Sequence, residues 1–252
     1  LLQRVQERGS EIRNALVFFE LEWVGQGDAR AERLLADPAL ARRRHWLASL
    51  RRYRPHLLSE PEERVLEETA NTGARAFGRL FDEIVSRLRF PVRRDGEIHD
   101  LGEEEVLALL HAPERELRRE AADVLTRVLS QNSHVLGFVT NTLVQDKATD
   151  DRRRRYPAPM AARHLANEID AESVDALLAA CVSRYPLVAR YYRLKARLLG
   201  LEKLADYDRY APVGEPPGSF DFERARSIVL DAYADFTPQM AEIAERFFTG
   251  RW

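Results

Sequence analysis

Histidine and acidic residues are the first candidates for chemistry, because together they could hold a metal ion. The six histidines include no His-Glu-x-x-His sequence, the pattern that places two imidazole ligands on one helix face around zinc. His164 and Glu168 are four residues apart on one predicted helix, so they could seat two ligands. A hydrogen-bonded surface pair is commoner at that spacing and is the preferred interpretation. The sequence also contains no glycine-rich phosphate loop and no Gly-x-Ser-x-Gly nucleophile elbow.

The single cysteine, Cys181, is a candidate nucleophile. It lies in the apolar run Leu-Leu-Ala-Ala-Cys-Val at 177–182, with no histidine nearby in the sequence to activate its thiol. The pattern therefore predicts a buried, inert thiol. One cysteine also excludes an internal disulfide and an all-cysteine metal site.

The densest charge block is the four-arginine run at 152–155, which could bind phosphate or nucleic acid. Asp146, Asp150 and Asp151 precede it, and the net charge of the chain is -2. No ladder of aromatic residues is interleaved with the arginines. We therefore expect no nucleic-acid partner, and predict that these arginines pair with helix ends and with the neighbouring aspartates.

Five tyrosines lie within 26 residues, at Tyr185, Tyr191, Tyr192, Tyr207 and Tyr210. Tyrosine combines a large apolar ring with a polar tip, so such a cluster can line a peptide-binding groove. The alternative is that these rings pack between helices and leave only their tips at the surface. Packing between helices is the preferred interpretation, and the peptide groove stays open as the alternative.

Helical periodicity runs along almost the whole chain, which predicts an all-α fold. The candidate residues above are therefore expected to lie on helices or on the turns that join them. Apolar stripes at spacings of three and four recur between proline and glycine breaks, with helix starts indicated at Asp37-Pro38, at Ser59-Glu60-Pro61-Glu62, after Asp221 and after Thr237-Pro238. One segment differs: residues 90–101 read as two short extended runs around Asp95-Gly96, which predicts a single β-hairpin. Further helices are predicted near 103–111, 113–131, 132–149, 158–168, 171–184 and 186–200.

The predicted domain boundary is the polar, proline-containing stretch at 150–159. It separates a helical region at 1–150, which contains the hairpin, from a second helical region at 151–252. Residues 206–219 contain three prolines and two glycines and are predicted to form a loop. No fixed-period repeat is present, which argues against a helical solenoid.

Composition excludes several classes of protein. Of 252 residues, 45% are hydrophobic and 32% are charged, the balance of a soluble globular chain. No run of eighteen apolar residues is present, so we expect no membrane partner. The chain begins at Leu1, within an amphipathic pattern, and ends in the apolar residues Phe247, Phe248 and Trp252. These ends indicate a segment of a longer protein.

Several phrases, in order, resemble the oligoendopeptidase F family of zinc metallopeptidases, relatives of thimet oligopeptidase. The longest is Tyr-Tyr-Arg-Leu-Lys-Ala-Arg-Leu-Leu-Gly-Leu-Glu-Lys-Leu at 191–204, followed by Asp-Tyr-Asp-Arg-Tyr-Ala-Pro at 206–212. Others are Arg-Pro-His-Leu-Leu-Ser-Glu-Pro-Glu-Glu at 54–63, Arg-Arg-Glu-Ala-Ala at 118–122, Asn-Thr-Leu-Val-Gln-Asp-Lys at 141–147 and Asn-Glu-Ile at 167–169. The resemblance spans most of the chain.

The resemblance implies a multi-helix array that forms one wall of a peptidase channel. In that family, zinc is held by His-Glu-x-x-His and a further glutamate, none of which this sequence contains. It therefore implies a non-catalytic portion of a cytoplasmic zinc metalloendopeptidase that hydrolyses oligopeptides, with zinc in the parent protein and none bound by this chain. Tyr191, Tyr192, Tyr207 and Tyr210 are the candidate channel-lining residues. The alternative function is a non-enzymatic α-helical scaffold or protein-interaction domain.

The last two predicted helices carry apolar residues that a downstream region would cover in the parent. These are Val229, Tyr233, Ile243, Phe247 and Phe248. Left bare, such a patch favours association, so we predict that the isolated chain self-associates through these helices. The alternative is that they fold back onto residues 171–200.

Overall fold

The computed structural model describes residues 2–214, 218 and 220–251. It confirms an all-α fold with one short hairpin. The elements in chain order are α1 (Leu2–Gly25), α2 (Asp28–Leu35), α3 (Arg44–Arg51), α4 (Glu60–Ala70), α5 (Ala74–Arg87), β1 (Phe90–Arg94), β2 (Glu97–Leu101), α6 (Glu103–Leu109), α7 (Arg115–Gln131), α8 (Ser133–Arg153), α9 (Ala161–Ala166), α10 (Ala171–Ser183), α11 (Tyr185–Leu198), α12 (Phe222–Phe236) and α13 (Pro238–Gly250). Three 3-10 turns cover Pro38–Arg43, Arg54–His56 and Asp206–Asp208.

Helix starts follow the capping signals of the sequence. The Ser59 amide donates to the Glu62 carboxylate at 2.9 Å, which completes the predicted start of α4. Asp221 accepts from the Arg224 amide at 2.7 Å at the start of α12. Helix α2 was not predicted, because the Gly27 that precedes it offers no side-chain cap.

The predicted hairpin is present, with Phe90 opposite Leu101 and Arg94 opposite Glu97. Its turn residues Asp95 and Gly96 have φ values of 52° and 84°, the left-handed pair that a tight two-residue hairpin requires. Alternate residues of β1 face inward. They join a core built with α6 and α7 whose buried members are Phe90, Val92, Val106, Ala121, Val124 and Val128.

A second core lies where α1, α2 and α3 meet. Its buried residues are Trp23, Val24, Ala31 and Leu47. The Trp23 indole donates to the Leu47 carbonyl at 2.8 Å, so the ring's polar atom is satisfied inside the core.

A polar network joins α1, α4 and α5. Glu67 accepts hydrogen bonds from Ser10 at 2.8 Å, from Arg13 at 2.6 Å and from Arg75 at 2.7 and 2.8 Å. Burial raises the pKa of Glu67, but hydrogen bonds from Arg75, Ser10 and Arg13 outweigh it and lower the pKa to about 2.

The chain divides into two compact units, with the boundary in the sequence between Ala211 and Pro212. Helix α8 runs through residues 150 and 151. The functional division that the sequence places there stays a prediction. Of the loop expected at 206–219, residues 206–208 form a 3-10 turn, while residues 215–217 and 219 lie outside the described residues, as do Leu1 and Trp252.

The second unit contains α12 and α13 packed against each other. Phe222 and Phe248 meet edge to face with ring centroids 6.0 Å apart. The Arg226 guanidinium lies over the Phe248 ring at 5.9 Å and pairs with Glu245. Phe248 is thus half-buried within its own unit, whereas Val229, Tyr233, Ile243 and Phe247 are exposed.

Candidate functional site

The predicted tyrosines lie in the first unit, on α11 and in the turn at residues 206–210 that follows it. Tyr191 is exposed and Tyr192 is half-buried on α11, and their rings meet edge to face at 5.2 Å. We call residues 185–210 the tyrosine segment. The role of these tyrosines in contacting a peptide stays a prediction.

Tyr191 is part of an exposed apolar stripe along α11. Spacings of four, three and four residues place its members on one helix face, and each is between 45% and 60% exposed: Leu187, Tyr191, Leu194 and Leu198. The buried residues of α11 are Lys195 and Ala196. We call the exposed set the α11 stripe. It is a solvent-exposed apolar surface that carries one phenolic hydroxyl.

Tyr207 and Tyr210 are held by side chains from another part of the chain. The Arg115 guanidinium lies over the Tyr207 ring at 5.2 Å, a favourable position for a cation. His111 stacks on Tyr210 with centroids 4.6 Å apart and planes 24° from parallel. Tyr210 is 46% exposed and Tyr207 is half-buried. The Arg209 guanidinium also lies over the Tyr210 ring at 5.2 Å. The Tyr210 ring is therefore contacted by His111 and Arg209 and remains partly open to solvent.

Asp208, between these two tyrosines, is the most tightly bound carboxylate of the tyrosine segment. Its side chain is fully buried. Arg115 Nε donates to both carboxylate oxygens at 3.0 and 3.2 Å, and its Nη2 donates to Oδ2 at 2.8 Å. The buried Arg118 donates to Oδ1 at 3.0 Å and the Ala205 amide to Oδ2 at 2.9 Å. Bidentate pairing of this kind fixes orientation as well as charge.

Helices α7 and α11 also hold the backbone around Asp208. Arg118 donates to the Tyr207 carbonyl at 3.2 Å, and the buried Lys195 donates to the Arg209 carbonyl at 2.8 Å. Burial and the nearby Arg118 lower the pKa of Lys195 against the attraction of Asp208. We call Asp208, Arg115, Arg118 and Lys195 the Asp208 cluster.

The pKa of Asp208 reflects this surrounding. Burial raises it, but hydrogen bonds from Arg115, the Ala205 amide and Arg118 outweigh burial and lower the pKa from 3.8 to about 2. The carboxylate is therefore ionised at neutral pH and acts as an anchor rather than as a proton donor.

Sequence reasoning missed this cluster. Asp208 lies 93 residues after Arg115, and nothing in the sequence connects them. The only local sign is the phrase Tyr-Asp-Arg-Tyr, which places an acidic residue between the two candidate tyrosines.

Within the arginine run, the predicted pairing is found for Arg154 and Arg155. Arg154 binds Asp150 at 2.8 Å and Glu63 at 2.7 and 2.9 Å, and Arg155 donates to the carbonyls of Pro55 and Leu57 at 3.1 Å each. The hydrogen bond to Glu63 raises the pKa of Arg154 above its ordinary value. These arginines join the end of α8 to the segment before α4.

Glu168 pairs with residues other than His164. It follows α9 with a φ of 54°, so the helical spacing of four does not hold. Its carboxylate lies 2.9 Å from His45 Nε2 and accepts from Ser49 at 2.8 Å. The expected pair between His164 and Glu168 is therefore wrong, because Glu168 pairs with His45 and Ser49 instead.

Cys181 is exposed, which corrects the prediction of a buried thiol. Its apolar neighbours Leu177, Leu178 and Val182 on α10 are exposed as well. An apolar run indicates burial only when another surface covers it, and no described residue covers this face of α10.

Two adjoining cavities of about 560 and 510 Å³ lie beside α1, next to α4 and the end of α8. Both are lined by Val17, Glu20, Glu63, Asp150 and Arg154. Because Glu63 and Asp150 both bind Arg154, most of this charge is paired. These residues come from distant parts of the sequence, so the sequence did not predict the cavities.

Within the described ranges, no three His, Cys, Asp or Glu side chains form a group that could hold a metal ion. The helices of the same ranges are too short or too polar to cross a membrane.

Comparison with known proteins shows which proteins the chain resembles. The family model described as oligopeptidase F matches residues 22–90. Group B oligopeptidase PepB of Streptococcus agalactiae is 28% identical over 222 residues, which cover 87% of this chain and 37% of that protein. Oligopeptidase PepF of Bacillus subtilis is 25% identical over 214 residues, which cover 82% and 32%. The chain matches the N-terminal portion of the oligoendopeptidase F family.

The structural comparison agrees. The crystal structure of oligoendopeptidase-F from Enterococcus faecium superposes with a TM-score of 0.77 over 98% of this chain and 53% of that one. At 23% identity this likeness shows the fold. The predicted resemblance is thereby confirmed, and because the matched relatives are oligopeptidases, the alternative of a non-enzymatic scaffold is not favoured. The chain spans about a third of the length of PepB and PepF.

Proposed function

We propose that this chain supplies a peptide-contacting wall of a zinc-dependent oligopeptidase whose catalytic residues lie outside it. The supporting observation is the match to PepB and PepF, proteins named as oligopeptidases, along 87% and 82% of this chain but only 37% and 32% of their own lengths. A cytoplasmic location is part of the proposal and is tested by cell fractionation.

Zinc belongs to the proposal only for the parent protein. The described residues do not fit a zinc site, since no cluster of three suitable ligands exists among them. We therefore assign no catalytic step to this chain. Its proposed contribution is to bind and orient the peptide.

The proposed binding surface is the α11 stripe with the neighbouring Tyr207 and Tyr210. An oligopeptide in an extended conformation presents apolar side chains and backbone polar groups together. The stripe offers apolar area to the former, and the hydroxyls of Tyr191 and Tyr210 offer hydrogen bonds to the latter. This arrangement favours contact with varied peptide sequences, because ring surfaces and hydroxyls select little between side chains.

The test compares the isolated chain with the longest product of the gene that encodes it. We expect the long protein to cleave quenched fluorescent oligopeptides, to lose that activity with a zinc chelator and to regain it with zinc. The isolated chain should cleave none of them. Cleavage by the isolated chain, or a long protein without chelator-sensitive cleavage, would contradict the proposal.

Tyr191→Ala in the long protein tests the binding surface. Because Tyr191 is exposed, its loss should leave the fold intact and raise KM by about three- to tenfold, with little change in kcat. Phe138→Ala is the matched control, since Phe138 is an aromatic residue of similar exposure on α8, away from the stripe. Equal KM values for the two variants would remove Tyr191 from the proposed surface.

We also propose that the isolated chain self-associates through α12 and α13. Val229, Tyr233, Phe236 and Ile243 are exposed on this helix pair. Apolar surface of this extent is seldom left in water by soluble monomers. Light scattering of the isolated chain across a concentration series measures the association.

A further inference from the structure

The tyrosine segment contains a buried carboxylate, Asp208, that the peptide-binding proposal does not explain. A surface that only needs apolar rings does not require a fully buried carboxylate in its middle. Burying an ion is costly unless partners surround it. The Asp208 cluster supplies such partners in full, and all of them converge on the turn that carries Tyr207 and Tyr210.

We propose that Asp208 is a positioning residue that holds Tyr207 and Tyr210 in the geometry used to bind peptide. This inference rests on the proposed function, because it assigns the two tyrosines a role in that binding. Asp208 has no exposed surface, so it acts through the turn and not by touching the peptide.

The first argument is the direction of the contacts. Arg115 and Arg118 both belong to α7 and fix the carboxylate from one side. Lys195 belongs to α11 and binds the Arg209 carbonyl from another element. The turn is therefore tied to two helices, and one of them carries Tyr191 and Tyr192.

The second argument is that partners of the carboxylate also contact the rings. Arg115 binds Asp208 and lies over Tyr207. His111, just before α7, stacks on Tyr210. Movement of the turn away from α7 would separate Tyr207 from Arg115 and Tyr210 from His111 together. The positions of both rings thus depend on the contacts of one carboxylate, which pairs with Arg115 and Arg118.

The test uses Arg115→Lys and Arg115→Gln in the long protein, with Asp208→Asn as a stronger change. Arg115 is partly exposed, with 38% of its side chain accessible, so its variants should fold even if Asp208→Asn does not. Lysine keeps the charge but loses the fork, and glutamine loses both. KM for a fluorescent oligopeptide should therefore rise from wild type to Arg115→Lys to Arg115→Gln, reaching about tenfold, while kcat changes by less than about twofold.

A spectroscopic readout separates positioning from stability. The protein is labelled with fluorotyrosine, and the fluorine resonances of Tyr207 and Tyr210 are assigned with Phe substitutions. Arg115 touches the Tyr207 ring directly, so the Tyr210 resonance is diagnostic. It should shift or broaden in the Arg115 and Asp208 variants. Glu67→Gln is the control, because it breaks a comparable network between α1, α4 and α5 and should leave the Tyr210 resonance in place.

Each outcome decides one part of the inference. An unchanged Tyr210 resonance in Arg115→Gln overturns the positioning role. A shifted resonance with unchanged KM overturns the link to peptide binding. If the wild-type long protein cleaves no peptide, the proposed function fails together with that link, and the Tyr210 resonance still decides whether Asp208 positions the turn.

Discussion

The hairpin with α6 and α7 buries its apolar side chains among one another, whereas α10 and α11 leave theirs in contact with solvent. Phe90, Val92 and Val106 are fully buried in the first region. In the second, α10 has no buried residue, and α11 buries only Lys195 and Ala196. The first region is stabilised by its own core. The second is fixed by charged hydrogen bonds to a turn, and it keeps an apolar face available for contact.

This difference indicates that the two regions have different structural roles. Apolar packing among local elements gives a stable platform that includes α7. The Asp208 cluster then connects the platform to the tyrosine segment, since Arg115 and Arg118 extend from that same helix. Helices α10 and α11 have no apolar core of their own, and these charged contacts fix the position of α11. The α11 stripe stays exposed.

The largest expected effect is a difference in the free energy of unfolding between variants of the hairpin core and variants of the α11 stripe. Phe90→Ala removes a fully buried ring and should lower the free energy of unfolding by about 3–5 kcal/mol. Leu194→Ala, in the stripe, should change it by less than about 0.5 kcal/mol. Urea denaturation of both variants measures the contrast. Similar losses would mean that the stripe is packed in solution.

A smaller effect concerns the charged anchor of the second region. The pKa of Asp208 is lowered in the folded protein from 3.8 to about 2. Its stabilisation is therefore present above the unfolded pKa and is lost as pH falls through the folded one. Between about pH 5 and pH 2 this carboxylate should account for a loss of about 2 kcal/mol.

Glu67 titrates in the same range, so the share of Asp208 must be separated from it. Carbon-detected NMR titration of the Asp208 carboxyl gives its pKa directly. A pKa at or above 3.8 would show that the cluster does not stabilise the ionised carboxylate. The second region would then not be held in place by this charged group.

The smallest effect on stability is expected in the second unit, where the exposed face resembles that of α11. Ile243→Ser replaces an exposed apolar residue and should change the melting temperature little. It should weaken the proposed self-association, measured as a lower mass by light scattering. Phe248→Ser is the contrasting variant, since its ring packs on Phe222 and its loss should lower the melting temperature. An unchanged mass for Ile243→Ser would count against association through these helices.

The sequence predicted those parts of the fold that depend on neighbouring residues. Ser59 with Glu62, and Asp95 with Gly96, specify a helix start and a turn from two to four adjacent positions. It could not predict the pairing of Asp208 with Arg115, because no local pattern links residues 93 positions apart.

The sequence also failed to predict which apolar side chains are exposed, and Cys181 is an example. Its apolar neighbours predict burial, but Leu177, Leu178 and Val182 are exposed in the structure. The tyrosines were found from residue type and density, whereas the side chains that hold Tyr207 and Tyr210 became visible only in three dimensions.

The separation of Asp208 from its partners also sets an order of events during synthesis. Arg115 and Arg118 lie in the first turns of α7, where cations are unfavourable beside the positive end of the helix dipole. Their counter-charge leaves the ribosome 93 residues after Arg115. At about 5–20 residues per second, the start of α7 waits roughly 5–20 s for the carboxylate. During that interval Arg115 and Arg118 lack this carboxylate, although Arg118 can already donate to the carbonyls of Ala112 and Pro113. The start of α7 therefore gains its full stability only after residue 208 has been synthesised.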